Sequence, residues 1–152
     1  MQKVNHQVYL GLGANLGNRE ETILAAYKEI ERLVGVIVRR SAFYYSEPWG
    51  FESSHPFVNT VILVETPLSP KQLLRRTQQI ERRLGKTRRH ATDRKIIQHS
   101  TFNIQHSSYH DRPIDIDILL YDDLVIDTPE LKIPHPLMQE RDFVMVPLKE
   151  IL

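Results

Sequence analysis

The segment Arg112–Leu119 alternates isoleucine and aspartate, and this alternation restricts the secondary structure it can form. Successive side chains of a β-strand point to opposite faces, so the isoleucines share one face while Asp115 and Asp117 share the other. A helix would spread the same side chains around its axis. We therefore predict a strand over Ile114–Leu120 with one face in the core and one face open to solvent or ligand. The isoleucines assigned to the core are Ile114, Ile116 and Ile118.

The two aspartates of this strand suggest a metal site. Their carboxylates lie about 7 Å apart along the strand, where they repel each other unless a cation binds between them. Mg²⁺ prefers one or two carboxylates together with the phosphate oxygens of a substrate. The alternative is a solvated strand face whose acids hold nothing.

Charge is unevenly distributed although the net charge is only +1. Between Arg75 and Lys95, nine basic residues stand against two acids, whereas between Asp111 and Glu130 seven acids stand against one arginine. A basic segment followed by an acidic one suits a polyphosphate that carries divalent cations. The alternative is two solvated surfaces of opposite charge.

The hydrophobic periodicity of the remaining chain predicts the element order β-α-β-β-α-β. This order is typical of a ferredoxin-like α+β fold, with an antiparallel sheet, helices packed on one face and the active site on the other side. We also expect Val125-Ile126 to form a hairpin with the last strand. The predicted strands are Val8–Leu12, a stretch from Val36 to Tyr45, Phe57–Glu65 and Ile114–Leu120, and the helices run from Asn18 to Gly35 and from Ser69 to Gly85.

The length of 152 residues predicts one domain over residues 1–152. The sequence has no cysteine, which excludes disulfides, thiolate chemistry and cysteine-based zinc sites. Apolar runs are too short for a signal peptide or a membrane span, so we expect a cytoplasmic protein. Residues 86–111 follow neither the helical nor the strand period, and we expect a long mobile loop there.

Several further side chains are candidates for ligand binding. Phe57 and Asn59 share one strand face, where a ring and an amide can meet a flat heterocycle, although Phe57 can equally be core and Asn59 a turn contact. Gly11-Leu-Gly13 lacks the additional residues of a nucleotide-binding loop, so we interpret these glycines as a tight strand-to-helix turn. Phosphate must then be held by metal and by side chains, for which Lys86, Arg88 and Arg112 are suitable, although each can equally be a solvated surface cation. His135 can reach a phosphate, and the alternative is a structural histidine.

Six short motifs follow one another along nearly the whole chain. They read Gly11-Leu-Gly-Ala-Asn-Leu-Gly17, Ser46-Glu-Pro-Trp-Gly50, Phe57-Val-Asn59, Gln78-Gln-Ile-Glu81, Arg112-Pro-Ile-Asp-Ile-Asp117 and Ile133-Pro-His-Pro136. Together they resemble the 6-hydroxymethyl-7,8-dihydropterin pyrophosphokinase family, which transfers pyrophosphate from ATP to a pterin alcohol in folate biosynthesis.

The resemblance implies a role for each matching residue, with two Mg²⁺ ions as cofactors and ATP as co-substrate. It implies that Asp115 and Asp117 bind the metal and act in catalysis with Arg112, Arg88 and Lys86. It implies ATP contacts at Leu74, Gln78, Glu81, Lys86, Arg88, Arg112, Ile118, Lys132, His135 and Arg141, and a pterin pocket at Ser46, Pro48, Trp49, Gly50, Phe57, Asn59 and Phe143.

The sequence departs from the family pattern in places. The family usually has a basic and then a small residue just before the arginine of its Arg-x-x-Asp-x-Asp run, whereas this chain reads Ser108-Tyr-His-Asp-Arg112. Tyr109 stands where tryptophan is common, and Lys132 stands where threonine is common. The loop between Arg88 and Arg112 is also longer than in compact members of the family.

We expect ATP and the pterin to be the partners of a monomeric enzyme that binds neither nucleic acid nor membrane. Two other functions are compatible with parts of the sequence. A two-metal nucleotidyltransferase also uses an Asp-x-Asp pair but releases pyrophosphate instead of AMP. A single-stranded RNA-binding module would use the basic segment and aromatic side chains, but the acidic strand region would repel an RNA backbone.

Overall fold

The computed structural model of the protein describes residues 5–15, 18–46, 57–86 and 114–152. These residues form a mixed fold of helices and antiparallel sheet. The strands are β1 (His6–Ala14), β2 (Val36–Arg40), β3 (Tyr44–Ser46), β4 (Phe57–Thr66), β5 (Asp115–Tyr121), β6 (Ile126–Asp127) and β7 (Lys132–Ile133). The helices are α1 (Arg19–Leu33), α2 (Pro70–Glu81) and α3 (Asp142–Ile151), with a π-helical turn at Arg82–Lys86 and a 3₁₀ turn at Met138–Glu140.

The main sheet is arranged around β1. The strand order is β2-β4-β1-β5, with β3 also pairing with β4, and every pairing is antiparallel. β1 therefore has hydrogen-bonded neighbours on both sides, whereas β2 and β5 have a strand on one side only among the described residues. The stretch from Val36 to Tyr45, predicted as one strand, forms two short strands separated by residues 41–43.

The two predicted helices form where their capping residues predict them. Asn18 accepts a hydrogen bond from the backbone N–H of Glu21 at the start of α1. Ser69 and Gln72 form a reciprocal capping box at the start of α2, whose first residue is a proline. Both helices pack on one face of the sheet, where they bury the even-numbered side chains of β1 and the isoleucines of β5.

A third helix covers part of the opposite face of the sheet, where the sequence predicted no helix. Val144, Leu148 and Ile151 lie along one side of α3 and pack against Val61 and Leu119 of the sheet. The expectation of helices on one face only is therefore wrong, because this apolar stripe at helical spacing needs a surface to cover it. No helix in the described ranges is both long enough and apolar enough to cross a membrane.

The predicted hairpin between Val125-Ile126 and the last strand is also wrong. Ile126–Asp127 pairs instead with Lys132–Ile133 in a separate two-stranded sheet. The reason lies at Asp122, which has a φ of 48° and exchanges hydrogen bonds with Gln7 of β1 through its backbone N–H and its carboxylate. These contacts turn the chain away from β5 immediately after the strand ends.

Gly11 and Gly13 of the first motif do not form the predicted turn. Gly11 and Gly13 lie inside β1, and each is paired with a residue on β4 and a residue on β5. The strand continues to Ala14, so that the segment predicted as Val8–Leu12 extends by two residues at each end. The glycines thus form part of the sheet surface.

Gly35, between α1 and β2, allows a close approach of two backbones, and we predict that Gly35→Ala destabilises the fold. An added Cβ would overlap the backbone oxygen of Glu65 and lie 2.9 Å from its carbonyl carbon. Because backbone atoms of a central strand cannot move aside cheaply, we expect the free energy of unfolding in urea to fall by about 1–3 kcal/mol or more.

The matched control for this substitution is Val36→Thr, which changes an adjacent side chain that is 63% exposed. We expect a change within about 0.5 kcal/mol there. Equal urea midpoints for Gly35→Ala and the control would contradict the predicted clash.

Candidate active site

One face of the main sheet carries the two aspartates of β5 beside a strip that has no side chains. Asp117 is paired with Gly11 and Asp115 with Gly13, and residues that are paired across antiparallel strands share a face. Asp115 and Asp117 are partly exposed, while Ile116 between them and Ile114 and Ile118 on either side are buried on the helix side. The alternation predicted from the sequence is therefore confirmed, and the glycines add no side chain of their own beside the acids.

Asn59 stands on the other side of the same glycine strip. It is paired with Gly13 of β1 and also with Tyr44 of β3. Tyr44, Asn59, Gly13 and Asp115 thus form one row across four strands, and Asp115 and Asn59 lie two strands, or about 10 Å, apart. Asn59 is only 8% exposed, so its amide is held within the sheet surface.

Phe57 and Ser46 lie next to this row, towards the ends of their strands. The two residues are paired between β3 and β4, and Phe57 is two residues from Asn59 on the same face. Phe57 and Ser46 are both partly exposed. The prediction that Phe57 and Asn59 share a strand face is confirmed by this pairing.

His135 and Arg141 approach Asp115 from the chain after β5. The backbone N–H of His135 donates to the carbonyl of Leu119 at 3.1 Å, which fixes the residue beside the strand. Nδ1 of the His135 ring accepts a hydrogen bond from the backbone N–H of Leu137 at 3.3 Å. The neutral ring then carries its proton on Nε2, which makes that nitrogen a hydrogen-bond donor.

The pKa of His135 is lowered by burial and by the positive charge of Arg141, while the carboxylate of Asp115 acts in the opposite direction. Burial is the largest of these causes, because it disfavours the charged imidazolium. The charges that act on His135, in the loop after β7, therefore come from Asp115 on β5 and from Arg141 at the start of α3. His135 is thus a neutral donor at neutral pH, close to one of the two aspartates.

Phe143, predicted to line the pterin pocket, lies in the first turn of α3. Its partly buried ring packs against the apolar cluster under this helix. The guanidinium of Arg141 lies over the ring, 5.4 Å from its centre. α3 thus carries a ring and a cation on the face of the sheet that holds the aspartates.

Glu81, predicted to contact ATP, is buried at the end of α2. Its carboxylate accepts a hydrogen bond of 2.7 Å from the backbone N–H of Ile116, the residue between the two aspartates. This N–H lies on the edge of β5 that is turned away from β1. Glu81 therefore helps to fix the strand on which Asp115 and Asp117 stand.

The other predicted ATP contacts fall into different surroundings. Leu74 is partly buried against the core beneath the helices, and Gln78 is exposed one turn further along α2. Ile118 is buried on the helix side of β5, the face opposite to the aspartates. Lys132 points away from this region, since its ammonium pairs with Asp127 across the small sheet.

Several predicted site residues lie outside what the structure describes. Pro48, Trp49 and Gly50 belong to the undescribed range 47–56, and Arg88 and Arg112 belong to 87–113. The predicted mobile loop falls almost entirely within that second range. Lys86 is described only as the last residue of the π-helical turn.

The aspartate pair fits Mg²⁺ better than it fits a metal held by protein ligands alone. Among the described residues, no group of three or more histidine or acidic side chains is placed to hold a metal ion. Mg²⁺ is commonly bound by one or two carboxylates and completes its shell with water and substrate phosphates. Asp115 and Asp117 are both partly exposed, so such additional ligands can reach them.

Gly13 is the site residue whose role was not recognised in the sequence. The signal was present, because glycine alternates with leucine in Leu10-Gly-Leu-Gly13 at the period of a strand. Because glycine readily forms turns, Gly11 and Gly13 were assigned to a turn instead of a strand, and this prediction is wrong.

We predict that the pKa of His135 responds in opposite directions to two substitutions, if NMR titration follows its ring protons in metal-free protein. Arg141→Gln should raise this pKa, because it removes a nearby positive charge, and Asp115→Asn should lower it further. Arg83→Gln, a loss of charge from a residue paired with Glu29, should leave it unchanged. If the pKa of His135 shifts in the same direction in both variants, the placement of Arg141 and Asp115 near His135 is wrong.

The lowered pKa also fixes the sign of the pH dependence. The unfolded chain binds a proton at His135 more readily than the folded protein does, so stability falls as the pH is lowered through about 6.5, the ordinary histidine value. In His135→Asn the loss of stability that comes from protonation of His135 should be absent, because an asparagine side chain does not titrate. Its amide oxygen can still accept the hydrogen bond from the backbone N–H of Leu137. Urea unfolding at pH 7.5 and pH 5.5 measures the difference.

We predict that Glu81→Ala destabilises the protein because it leaves the N–H of Ile116 without this acceptor. The expected loss is about 1–3 kcal/mol in the free energy of unfolding, whereas Glu81→Gln, which keeps an acceptor oxygen, should lose less. Amide hydrogen exchange at Ile116 should be faster in the alanine variant than in the glutamine variant. If both variants lose the same stability, the charge and not the hydrogen bond is what matters.

Curated relatives cover nearly the whole chain. A 2-amino-4-hydroxy-6-hydroxymethyldihydropteridine pyrophosphokinase of Porphyromonas gingivalis is 46% identical over 145 residues, which is 95% of this chain and 89% of the relative. A protein of the same name from Aquifex aeolicus is 40% identical over 144 residues, which is 95% of this chain and 79% of the relative.

Solved structures show the same fold at much lower sequence identity. The Plasmodium falciparum HPPK-DHPS protein with pterin and p-hydroxybenzoate matches 99% of this chain with a TM-score of 0.67 and 15% identity. This chain spans 40% of the length of that one. The likeness at this identity concerns the fold alone.

The family comparison covers both the sheet and α3, and with them all the described candidate site residues. The model of 7,8-dihydro-6-hydroxymethylpterin-pyrophosphokinase (HPPK) matches residues 9–152. β1 from Tyr9 onwards, the aspartate strand β5 and the helix α3 fall within this match. With relatives that are 40% and 46% identical over 95% of its length, the chain belongs to the 7,8-dihydro-6-hydroxymethylpterin-pyrophosphokinase family.

Proposed function

We propose that the protein transfers pyrophosphate from ATP to 6-hydroxymethyl-7,8-dihydropterin, which gives the pterin diphosphate and AMP, a step of folate biosynthesis. The observation that carries this proposal is the row in which Asn59 and Asp115 flank Gly13 on one open face of the sheet. A heterocycle held near Asn59 and a triphosphate held near Asp115 would meet over the glycine strip.

The pterin half of the site would use Phe57, Asn59 and Phe143. The Asn59 amide offers both donors and an acceptor, which matches the polar edge of a pterin. Phe57 on β4 and Phe143 on α3 offer rings that can stack on the flat faces of the heterocycle. Ser46, with Pro48, Trp49 and Gly50 from the adjoining loop, would complete the pocket.

The ATP half would use Asp115 and Asp117 to hold two Mg²⁺ ions. When bound, Mg²⁺ supplies positive charge that screens and orients the triphosphate. His135 would donate from Nε2 to a phosphate oxygen, and Arg141 would add a positive charge close by. Gln78, which is exposed on α2, would contact the nucleoside. Leu74, Glu81 and Ile118 lie on the helix side and are weaker candidates for a contact with ATP.

The transfer itself would need positioning more than covalent chemistry by the protein. The hydroxymethyl oxygen of the pterin would attack the β-phosphorus of ATP while the bond from that phosphorus to the oxygen bridging to the α-phosphate breaks. AMP would then leave with that oxygen, and the hydroxyl proton would be released to solvent. Arg112, Arg88 and Lys86 would stabilise the charge that develops on the phosphate oxygens. Lys132, which pairs with Asp127 and points away, is the weakest of the ATP candidates.

The two alternative functions are not favoured. The family match over residues 9–152 and the named relatives point to pyrophosphate transfer and not to nucleotidyl transfer or RNA binding. The open face also presents two carboxylates, which would repel an RNA backbone. We accordingly propose that the enzyme acts as a monomer without nucleic acid.

The sheet order supports the ferredoxin-like part of the prediction. If β2 and β3 are counted as one strand, the order from edge to edge becomes 4-1-3-2 with all pairs antiparallel and α1 and α2 on one face. This is the arrangement of a split βαβ unit. α3 and the small sheet would then be additions to the ferredoxin-like core.

The proposal predicts the products of the reaction. Phosphorus NMR of the protein with ATP, Mg²⁺ and the pterin alcohol should show AMP and a pterin diphosphate in equal amounts. Removal of Mg²⁺ with a chelator should stop the reaction, because the triphosphate is then not held at the aspartates. Pyrophosphate as a product would indicate nucleotidyl transfer and would overturn the proposal.

Asp117→Ala tests the assignment of the metal ligand within the same assay. We expect it to lower turnover by at least about 10³-fold, which is the scale of losing a group that stabilises transition-state charge, while pterin binding persists. The matched control is Asp123→Ala, which removes an exposed acid from the turn after β5 and should keep turnover. A fully active, Mg²⁺-dependent Asp117→Ala would reject the role of Asp117.

A further inference from the structure

We propose that Gly13 determines the selectivity of the site for the pterin, because its missing side chain leaves the space that the Asn59 amide occupies. This inference deepens the proposed function and rests on it, since it takes the pterin as the ligand of Asn59. Gly13 is a positioning residue in this proposal, because it acts through Asn59 and has no side chain of its own to contact the substrate.

The geometry at Gly13 is unusually close. A Cβ added to this residue would lie 2.6 Å from Oδ1 of Asn59 and 3.6 Å from its Cγ. Non-bonded carbon and oxygen atoms do not approach within 3.0 Å, so the amide and a methyl group cannot both occupy their places. The register of the sheet forces this meeting, because Gly13 and Asn59 are directly paired between β1 and β4.

The clash would displace the amide without breaking the sheet. The nearest backbone atom to the added Cβ is the oxygen of Val58 at 3.9 Å, an ordinary contact distance. Oδ1 of Asn59 is the end of a side chain and can rotate away. Gly35 shows the opposite case, since a Cβ there would meet the backbone of Glu65.

Gly11 provides an internal comparison on the same strand and the same face. The three atoms nearest to a Cβ at Gly11 all belong to the side chain of Leu119, at 3.4 to 3.6 Å. Alanine at this position therefore fits with a small adjustment of a flexible side chain. The two glycines are alike in strand position but differ in the side chain that each makes room for.

The expected effect of a displaced amide is weaker binding of the pterin, with the binding of ATP unchanged. Hydrogen bonds weaken steeply when their distance and angle depart from the range near 2.9 Å. Asn59 is buried, so a displaced amide cannot reach the pterin edge by another rotamer without a cost to its neighbours. We expect Gly13→Ala to weaken pterin binding by about 10- to 100-fold, the scale of one or two hydrogen bonds, and to spare the binding of ATP.

The experiment compares wild type, Gly13→Ala, Gly11→Ala, Asn59→Ala and the double variant Gly13→Ala/Asn59→Ala. Calorimetry measures binding of the pterin alcohol and, separately, of a non-hydrolysable ATP analogue with Mg²⁺. Urea unfolding reports whether each variant is folded. We expect the pterin loss in Gly13→Ala but not in Gly11→Ala, and no additional loss when Gly13→Ala is introduced into Asn59→Ala.

A purely structural role of Gly13 would give a different pattern. In that case Gly13→Ala would weaken pterin binding equally with and without Asn59, or would weaken the ATP analogue to the same extent, and either result would overturn the proposal. Unchanged pterin binding in Gly13→Ala would overturn it as well.

A failure of the proposed function gives its own result. If wild type binds no pterin, the proposed function and the pterin selectivity assigned to Gly13 fall together. The side-chain NH₂ resonances of Asn59 then still report on the contact, because they should shift in Gly13→Ala and stay in place in Gly11→Ala. If wild type binds the pterin and these resonances do not move in Gly13→Ala, only the role of Gly13 is rejected.

Discussion

The pairing of β1 with β4 on one side and β5 on the other is the constraint on which the rest of the site depends. It sets Asn59 and Asp115 across Gly13, although these residues are far apart in the chain. A shift of either pairing by one residue would exchange the two faces of a strand. The register is fixed from the helix side, where the even-numbered apolar side chains of β1 are fully buried.

The isoleucines of β5 supply the stability that allows two carboxylates to stand side by side. Each buried isoleucine contributes about 1.5–3 kcal/mol relative to an exposed one, which exceeds the repulsion of two partly solvated acids. Glu81 adds a hydrogen bond to the backbone of Ile116 from the end of α2. The helix face of the strand thus fixes the position of residues that act on the opposite face.

Local signals in the sequence were sufficient for much of this arrangement. The caps at Asn18 and Ser69 and the alternation around Asp115 and Asp117 depend on residues close together in the chain, and the structure confirms them. A local signal for α3 was also present, because Val144, Leu148 and Ile151 are spaced as on one side of a helix. Pro147 weakens that signal, since proline is unfavourable inside a helix, and packing against the sheet outweighs this preference.

The features that could not be predicted are relations between residues distant in the chain. The pKa of His135 depends on Arg141 and Asp115, which no periodicity connects to it. The hairpin prediction failed for the same reason, because the turn at Asp122 is fixed by its contacts with Gln7 of the first strand. The local sequence indicates which secondary structure a segment prefers, but contacts across the sheet determine where the segment lies in the fold.

The glycine strip extends this argument to recognition. A glycine in a strand costs stability because it adds no packing and loses more backbone freedom than other residues. Two glycines on one face of a central strand are explained if neighbouring side chains need the space above them. At Gly13 that space holds the amide of Asn59, and at Gly11 the side chain of Leu119 lies against it. The selectivity of the site then depends on the absence of a side chain at Gly13. This role can be recognised only once the strand pairing is known.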